Sequence, residues 1–177
     1  NDNSATKNFT VGDVLSLGNP TNFNLVLESS SILDDSPQVA AATNTPTKIF
    51  FGPAAVETDV TLANDGDLTF STAGKYYVQL LVNSGSVLTS TLTLVKKIYF
   101  NSYKNNTVYG SAIQDSLYLT NNQASTTEGL SINIIFDAAV ADVLSFKFSV
   151  SNLIMGLKHQ ASTLGSVTSA NIKIYKI

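Results

Sequence analysis

The sequence predicts an all-β protein. Segments of alternating apolar and polar residues recur along most of the 177-residue chain, as strands with one buried face require. β-Branched and aromatic residues dominate these segments, and no window places apolar residues at helical spacing between helix caps. The number of segments and turns predicts a single domain of eight to ten strands, arranged as a two-sheet antiparallel jelly-roll β-sandwich.

The first third of the chain differs from the rest in its prolines. All four prolines lie between Pro20 and Pro53, and proline in a sheet is largely confined to edges and bulges. Short apolar runs in this region are separated by polar tracts such as Ser29 to Thr47. We therefore expect residues 1–57 to form an irregular N-terminal arm with edge strands, and residues 58–177 to form the jelly-roll core.

A hairpin opens the predicted core. Val60 and Leu62 share one face of a strand, and the stretch Asn64 to Asp67 has the composition of a turn. Leu68 and Phe70 then return with apolar side chains on the same face. This arrangement is typical of a β-hairpin.

The later strands follow the same alternation. They are predicted near residues 87–100, 130–136, 144–150 and 172–174. We expect the strands Gly74 to Val82 and Leu144 to Val150 to form the sheet that supplies the main core. Tyr76 and Phe146 should then be largely buried.

Composition excludes several classes of function. The ten basic residues are all lysine and the net charge is −3, whereas a nucleic-acid-binding face needs a basic stripe in which arginine is prominent. The chain has no cysteine, which excludes disulfides, a thiolate nucleophile and a cysteine-ligated zinc site. Charged and polar residues interrupt its most apolar stretch, residues 130–150, so no membrane span is predicted.

No catalytic residue, cofactor site or metal site is predicted. His159 is the only histidine, and no Gly-x-Ser-x-Gly motif supplies a nucleophile for it. Paired carboxylates carry out glycoside hydrolysis, but Asp is also a preferred turn residue. The three pairs all fall where turns are expected: Asp34 with Asp35, Asp65 with Asp67, and Asp137 with Asp142. A glycoside hydrolase is therefore the least favoured alternative.

Tyrosines are concentrated in the middle of the chain, and a tyrosine-rich loop is expected around residues 101–109. Tyrosine offers apolar area with a polar tip, which suits recognition of a protein or a sugar. We predict that Tyr103, Tyr109 and Tyr118 bind a partner. The alternative is that such tyrosines lie at strand ends or between subunits.

Three segments resemble the C1q/TNF-like superfamily. Leu68 to Val78 resembles the segment in which a Phe is followed by a Gly-x-Tyr-Tyr step into a long central strand. Ala141 to Phe146 is similar to the Gly-Asp-x-Val element of that family, except that Ala139-Val140-Ala141 stands where Gly is usual. Ser169 to Ile177 resembles the closing strand, which in the family ends near the threefold axis.

The resemblance implies a compact jelly roll that assembles as a homotrimer and recognises partners with its outer loops. Residues 132–136 carry apolar side chains on both strand faces, which indicates that a neighbouring subunit covers the second face. We assign Tyr99, Ile135 and Tyr175 to this subunit interface.

Heads of virion spikes and fibres use similar trimeric jelly rolls, and an arginine-free chain rich in Asn and Thr fits such a head. The leading hypothesis is thus a non-enzymatic homotrimer on a virion surface or in the extracellular space, which binds a host receptor protein or glycan and joins other virion or shaft proteins. The alternative from another class is a secreted, monomeric carbohydrate-binding β-sandwich.

Overall fold

The structure, a computed structural model, describes residues 24–31, 37–87, 94–119, 127–162 and 165–177. Within these ranges every regular element is a strand, and no helix is long and apolar enough to cross a membrane. Seven strands have seven residues or more, and eight short ones have two or three. In chain order the strands are β1 (Asn24–Ser30), β2 (Gln38–Val39), β3 (Thr47–Lys48), β4 (Ala55–Val56), β5 (Val60–Leu62), β6 (Leu68–Phe70), β7 (Gly74–Ser86), β8 (Leu94–Lys104), β9 (Thr107–Leu119), β10 (Thr127–Ala138), β11 (Val143–Val150), β12 (Met155–Leu157), β13 (Gln160–Ser162), β14 (Gly165–Val167) and β15 (Ala170–Lys176).

The strands form two antiparallel sheets and a separate two-stranded ribbon of β13 and β14. Sheet A runs β1-β15-β7-β10, and β12 and β2 extend it beside the end of β7. Sheet B runs β4-β5-β6-β11-β8-β9, with β3 also paired to β11. Strand neighbours far apart in sequence, such as β1 with β15, give the crossovers of a jelly roll. The all-β, two-sheet prediction is therefore confirmed.

The core lies between the sheets and is built by strict alternation. In β7 the even-numbered side chains from Tyr76 to Val82 are buried, while the odd-numbered ones point away from the core. Tyr76 and Phe146 are 0 % and 2 % exposed, as predicted. The expectation that β7 and β11 share a sheet is wrong, because β7 is central in sheet A and β11 in sheet B. They contribute to the same core from opposite sides.

An aromatic cluster joins the two sheets. The Phe70 ring of β6 lies 4.7 Å from the Tyr76 ring of β7 and 4.9 Å from the Phe136 ring of β10. All three side chains are fully buried. The Tyr76 hydroxyl donates to the carbonyl of Thr72 at 2.9 Å, so its one polar atom is satisfied inside the core.

The predicted hairpin is present as β5 and β6. Val60 pairs with Phe70 and Leu62 with Leu68, and all four side chains are buried. Gly66 in the connecting turn has a φ of 85°. A Cβ on Gly66 would lie 2.2 Å from the carbonyl oxygen of Ile49, so the turn requires glycine.

The N-terminal part of the described chain supplies edge strands to both sheets. β1 pairs with β15 at one edge of sheet A, and β2 adds to β12. β3 and β4 join sheet B beside β11 and β5. The division into an arm of residues 1–57 and a core of residues 58–177 stays a prediction, and residues 1–23 lie outside the described part.

We predict that Phe146→Ala lowers the free energy of unfolding by about 3 to 5 kcal/mol, because it empties a fully enclosed ring site between the sheets. Phe50→Ala is the matched control, since Phe50 is 44 % exposed and its loss removes little buried area. Denaturant unfolding of both variants measures the difference. A loss below about 1 kcal/mol for Phe146→Ala would contradict the observed packing.

Candidate functional site

Four apolar or aromatic side chains cross the outer face of sheet A in one line, which we call the apolar row. Ile135 of β10 pairs with Tyr77 of β7, and Tyr77 pairs with Tyr175 of β15. Tyr175 in turn pairs with Leu25 of β1. Directly opposed residues in antiparallel strands point to the same face, so the row continues across four strands.

The apolar row has two exposed ends and two half-buried tyrosines between them. Ile135 and Leu25 are 61 % and 50 % exposed, and the Tyr77 and Tyr175 rings between them lie 6.1 Å apart. The Tyr77 hydroxyl donates to Oδ1 of Asn133 at 2.9 Å, which holds the ring against the sheet. The row therefore presents a preformed surface of large side chains rather than isolated apolar residues.

Polar groups and a hollow border the row on the same face. One register step along, Lys173 of β15 forms a 3.0 Å ion pair with Glu28 of β1. Farther along, a hollow of about 500 Å³ lies around Leu81 and Gly129, where glycine contributes no side chain to the surface. The face thus has an apolar ridge, a polar ion pair beside it and a depression, and a second surface of complementary shape can pack against these features.

The structure brings two of the three predicted interface residues together. Ile135 and Tyr175 both belong to the apolar row. Tyr99 does not, because it lies on β8 of sheet B between the buried side chains of Ile98 and Phe100. It faces outward on the opposite side of the sandwich from the row.

The predicted tyrosine-rich loop is a strand pair instead. β8 extends to Lys104 and β9 starts at Thr107, so only Asn105 and Asn106 form the connection. Both have positive φ values, of 50° and 65°, as two-residue hairpin loops require. Asn tolerates this conformation better than most residues with a side chain, which explains the short loop.

The three predicted partner-binding tyrosines are not equivalent. Tyr103 faces outward on sheet B, with the Nζ of Lys147 4.1 Å from its ring centre. Tyr109 instead packs edge-on against Phe136 at 5.2 Å, and its hydroxyl donates to the carbonyl of Ile135 at 3.2 Å. A register shift between Phe100 and Ser102 brings Tyr109 opposite the buried Ser102, so Tyr109 closes the core where the sheets meet. Tyr118 lies in β9 opposite Val95, and its side chain is outside the described part of the structure.

Asp142 ties the β10–β11 turn to the β8–β9 hairpin. Its carboxylate accepts hydrogen bonds from the Ala139 amide at 2.6 Å and from Nδ2 of Asn105 at 2.8 Å. The Lys104 ammonium lies 2.7 Å from Oδ2. Lys104, then the Ala139 amide and the Asn105 amide, lower the pKa of Asp142 to about 2. An ionised carboxylate with its oxygens occupied in this way serves as an anchor rather than a proton donor or nucleophile.

The other candidate groups for chemistry also have structural positions. Asp65 and Asp67 hold Lys48 at 2.8 and 2.7 Å across the β5–β6 turn. His159 lies just before β13, and Asp34 and Asp35 fall outside the described residues. Within the described ranges, no three acidic or histidine side chains are grouped closely enough to hold a metal ion.

Sequence reasoning missed two residues of the apolar row, Tyr77 and Leu25, and missed Lys147 beside Tyr103. The signal for Tyr77 was present, because two consecutive strand tyrosines must face opposite ways and Tyr76 was assigned to the core. Leu25 and Lys147 gave no such signal. Their positions depend on which strands pair and in which register.

Comparison with a solved structure supports the fold. The chain is similar to the structure of Eiger TNF from S. frugiperda, with a TM-score of 0.52, 13 % identity, and coverage of 88 % of this chain and 92 % of that one. It is also similar to the globular domain of zebrafish complement 1qA protein, with a TM-score of 0.48, 10 % identity, and coverage of 87 % and 98 %. No family model and no curated protein sequence matches the chain. The sheet topology and the likeness to the TNF structure show a C1q/TNF-like jelly-roll fold.

We predict that Asp142→Asn lowers stability at neutral pH by about 1 to 3 kcal/mol, because a neutral amide accepts fewer and weaker hydrogen bonds from Lys104, Asn105 and the Ala139 amide. The pKa of Asp142 is lower in the folded chain than its ordinary value of 3.8, so its ionised form stabilises the fold above that pH. This contribution is lost as the pH falls from about 4 to about 2. Chemical unfolding at a series of pH values should show a smaller acid loss in the variant. An identical acid dependence in both proteins would contradict the anchor role.

We predict that Ala141→Gly stabilises the protein. Ala141 has a φ of 68°, the left-handed conformation that glycine adopts freely, at the position where the C1q/TNF-like element usually has Gly. Glycine should relieve about 1 to 2 kcal/mol of backbone strain in the folded chain. This gain should exceed the cost of the conformational entropy that glycine adds to the unfolded chain and leave a net stabilisation of about 0.5 to 1 kcal/mol. Ala139→Gly, two residues earlier at an ordinary φ, is the control and should destabilise. A loss of stability in Ala141→Gly as large as in the control would contradict the claim that the backbone at Ala141 is strained.

Proposed function

We propose that this chain is the subunit of a non-enzymatic, homotrimeric recognition or structural module. The observation that carries the proposal is the apolar row on sheet A, four large side chains aligned across four strands, of which Leu25 and Ile135 are exposed and the two tyrosines half-buried. Exposed apolar patches of this kind mark surfaces that another protein covers. The C1q/TNF-like fold makes a second copy of the same chain the favoured partner.

The position of Ile135 supports a head-to-tail contact. Ile135 lies on β10, which among the described strands pairs only with β7 and therefore forms one edge of sheet A. The same residue thus belongs both to the face and to the rim of the sheet. If the rim of one copy covers the row of the next, the two contact surfaces differ, and such contacts close into a ring when the rotation permits.

A ring of three copies leaves the other side of each sandwich free. Sheet A and sheet B are the two faces of one sandwich, so covering the outer face of sheet A leaves that of sheet B toward solvent. An obligate interface of this kind should be mostly apolar and bury on the order of 2,000 Å² or more. The hollow around Leu81 and Gly129 offers space for side chains of the neighbouring copy.

The finer assignment is the head of a virion spike or fibre that attaches to a host receptor, on a virion surface or in the extracellular space. Support comes from composition, since a chain without arginine and rich in Asn and Thr suits a surface of hydroxyls and amides. The coding sequence upstream of Asn1 tests this assignment. A capsid-attachment segment or a repetitive shaft is expected there, and a separate catalytic domain would contradict it.

The alternative, a secreted monomeric carbohydrate-binding sandwich, differs in its mass in solution. Light scattering distinguishes the two directly. A single chain at micromolar concentration would support the monomer, and three chains would support the trimer.

We predict that Ile135→Asp converts the trimer into monomers, because three carboxylates would be buried in apolar contacts without partners. Val56→Asp is the matched control, since Val56 is 81 % exposed but lies on β4 at the edge of sheet B. Light scattering and far-ultraviolet circular dichroism measure mass and folding together. A wild type that is already monomeric, or a trimer that survives Ile135→Asp, would end the proposal.

A further inference from the structure

The outer face of sheet B carries positive charge in an acidic protein. The outward positions of β8 are Lys97, Tyr99, Asn101 and Tyr103, and the outward positions of β11 beside them include Lys147. No Asp or Glu occupies an outward position of either strand. The chain as a whole has a net charge of −3, so this face departs from the average in sign.

Lys147 stands at the centre of this face, between two tyrosines. It pairs directly with Asn101, and Tyr99 and Tyr103 are the residues two positions away on the same strand face. Such diagonal neighbours lie about 7 to 8 Å apart, within reach of long side chains. The Lys147 ammonium leans toward Tyr103, at 4.1 Å from the ring centre. The ring face stabilises the cation without neutralising its charge.

Among the described side chains, no carboxylate forms an ion pair with Lys147 or Lys97. Within the described ranges, four lysines form ion pairs with acidic side chains: Lys48, Lys104, Lys173 and Lys176. Lys48 of β3, the other neighbour of Lys147, is held by Asp65 and Asp67. Lys147 therefore keeps its own charge, whereas the ammonium of Lys48 is already held by two carboxylates.

The rest of this face suits a hydroxylated ligand better than a protein. Ser149 of β11 lies opposite Tyr99 and offers a hydroxyl beside Lys147, whereas Ser145, opposite Tyr103, is only 2 % exposed. Among the described side chains of β8, β9 and β11, Val108 opposite Tyr103 is the one large exposed apolar side chain, whereas protein interfaces need a larger apolar centre. Nucleic acid is disfavoured by the absence of arginine.

We propose that the outer face of sheet B binds a saccharide that carries a carboxylate. Lys147 meets the carboxylate, and Tyr99 and Tyr103, about 13 Å apart along β8, contact neighbouring sugar rings. The inference rests on the proposed recognition role and gives that role a ligand class. It also reassigns Tyr99 from the subunit interface to the ligand face.

The test measures binding of defined saccharides by isothermal titration calorimetry. The probes are sialyllactose and a glucuronate-containing tetrasaccharide, with lactose and the carboxyl-reduced tetrasaccharide as neutral matches. At least one acidic probe should bind with a Kd below about 1 mM, and its neutral match at least about tenfold more weakly. A glutamate peptide of equal charge should bind as weakly as the neutral match.

Variants locate the site. Lys147→Gln should weaken binding of the acidic probe about tenfold, because a charge-assisted contact is lost. Tyr103→Ala should weaken it, and Tyr103→Phe should retain most of the affinity because the ring remains. Lys75→Gln is the matched control, since Lys75 is exposed on the sheet A side and forms no described ion pair. Its affinity should equal that of the wild type.

Three results would overturn the inference: no binding of either acidic probe, unchanged binding by Lys147→Gln, or an equal loss in Lys75→Gln. The last would indicate attraction by net charge alone. The mass in solution is measured on the same samples, so the two proposals fail separately. A monomer that binds the acidic probe would contradict the trimer proposal and support the saccharide site. A trimer that binds neither acidic probe would support the trimer and contradict the saccharide site.

Discussion

The aromatic contact between the sheets determines which side chains face outward on sheet A. Phe70, Tyr76 and Phe136 meet in the core, from strands of both sheets. Because side chains alternate along a strand, anchoring Tyr76 and Phe136 inward forces Tyr77 and Ile135 outward. The apolar row is therefore the reverse side of the core, and the same contact that closes the sandwich creates the surface proposed to join subunits.

The two outer faces have different chemistry although they share one core. Sheet A presents large apolar side chains bordered by an ion pair of Lys173 with Glu28. Sheet B presents tyrosines and the Ser149 hydroxyl around Lys147, which forms no ion pair with any described carboxylate. A covered face favours apolar area, whereas a face left to solvent can keep desolvation costs low and recognise polar ligands. One side for assembly and one side for recognition is the arrangement most consistent with this contrast.

Several sequence-based expectations depended on local pattern, and these agree with the structure. The β5–β6 hairpin was predicted because alternation and turn composition lie within a dozen residues, and Val60 does pair with Phe70. Burial of Tyr76 followed from the same periodicity. Expectations that depended on pairing between strands far apart in the chain agree less well with the structure. β7 and β11 both have buried faces, but alternation does not reveal which sheet a strand joins, so their assignment to one sheet was wrong.

The sequence by itself determined the class of fold, the strand-rich composition and which side of most strands is buried, since these follow from residue preference and from a period of two. It also carried the Gly-x-Tyr-Tyr and Ala-Asp segments by which the C1q/TNF-like resemblance was seen. Only the tertiary structure decided that Ile135, Tyr77, Tyr175 and Leu25 form one row, that Tyr99 faces the other way, and that Tyr109 enters the core. The physical reason is that these relations depend on strand register and on the register shift between β8 and β9, which the paired strands set together through their hydrogen bonds.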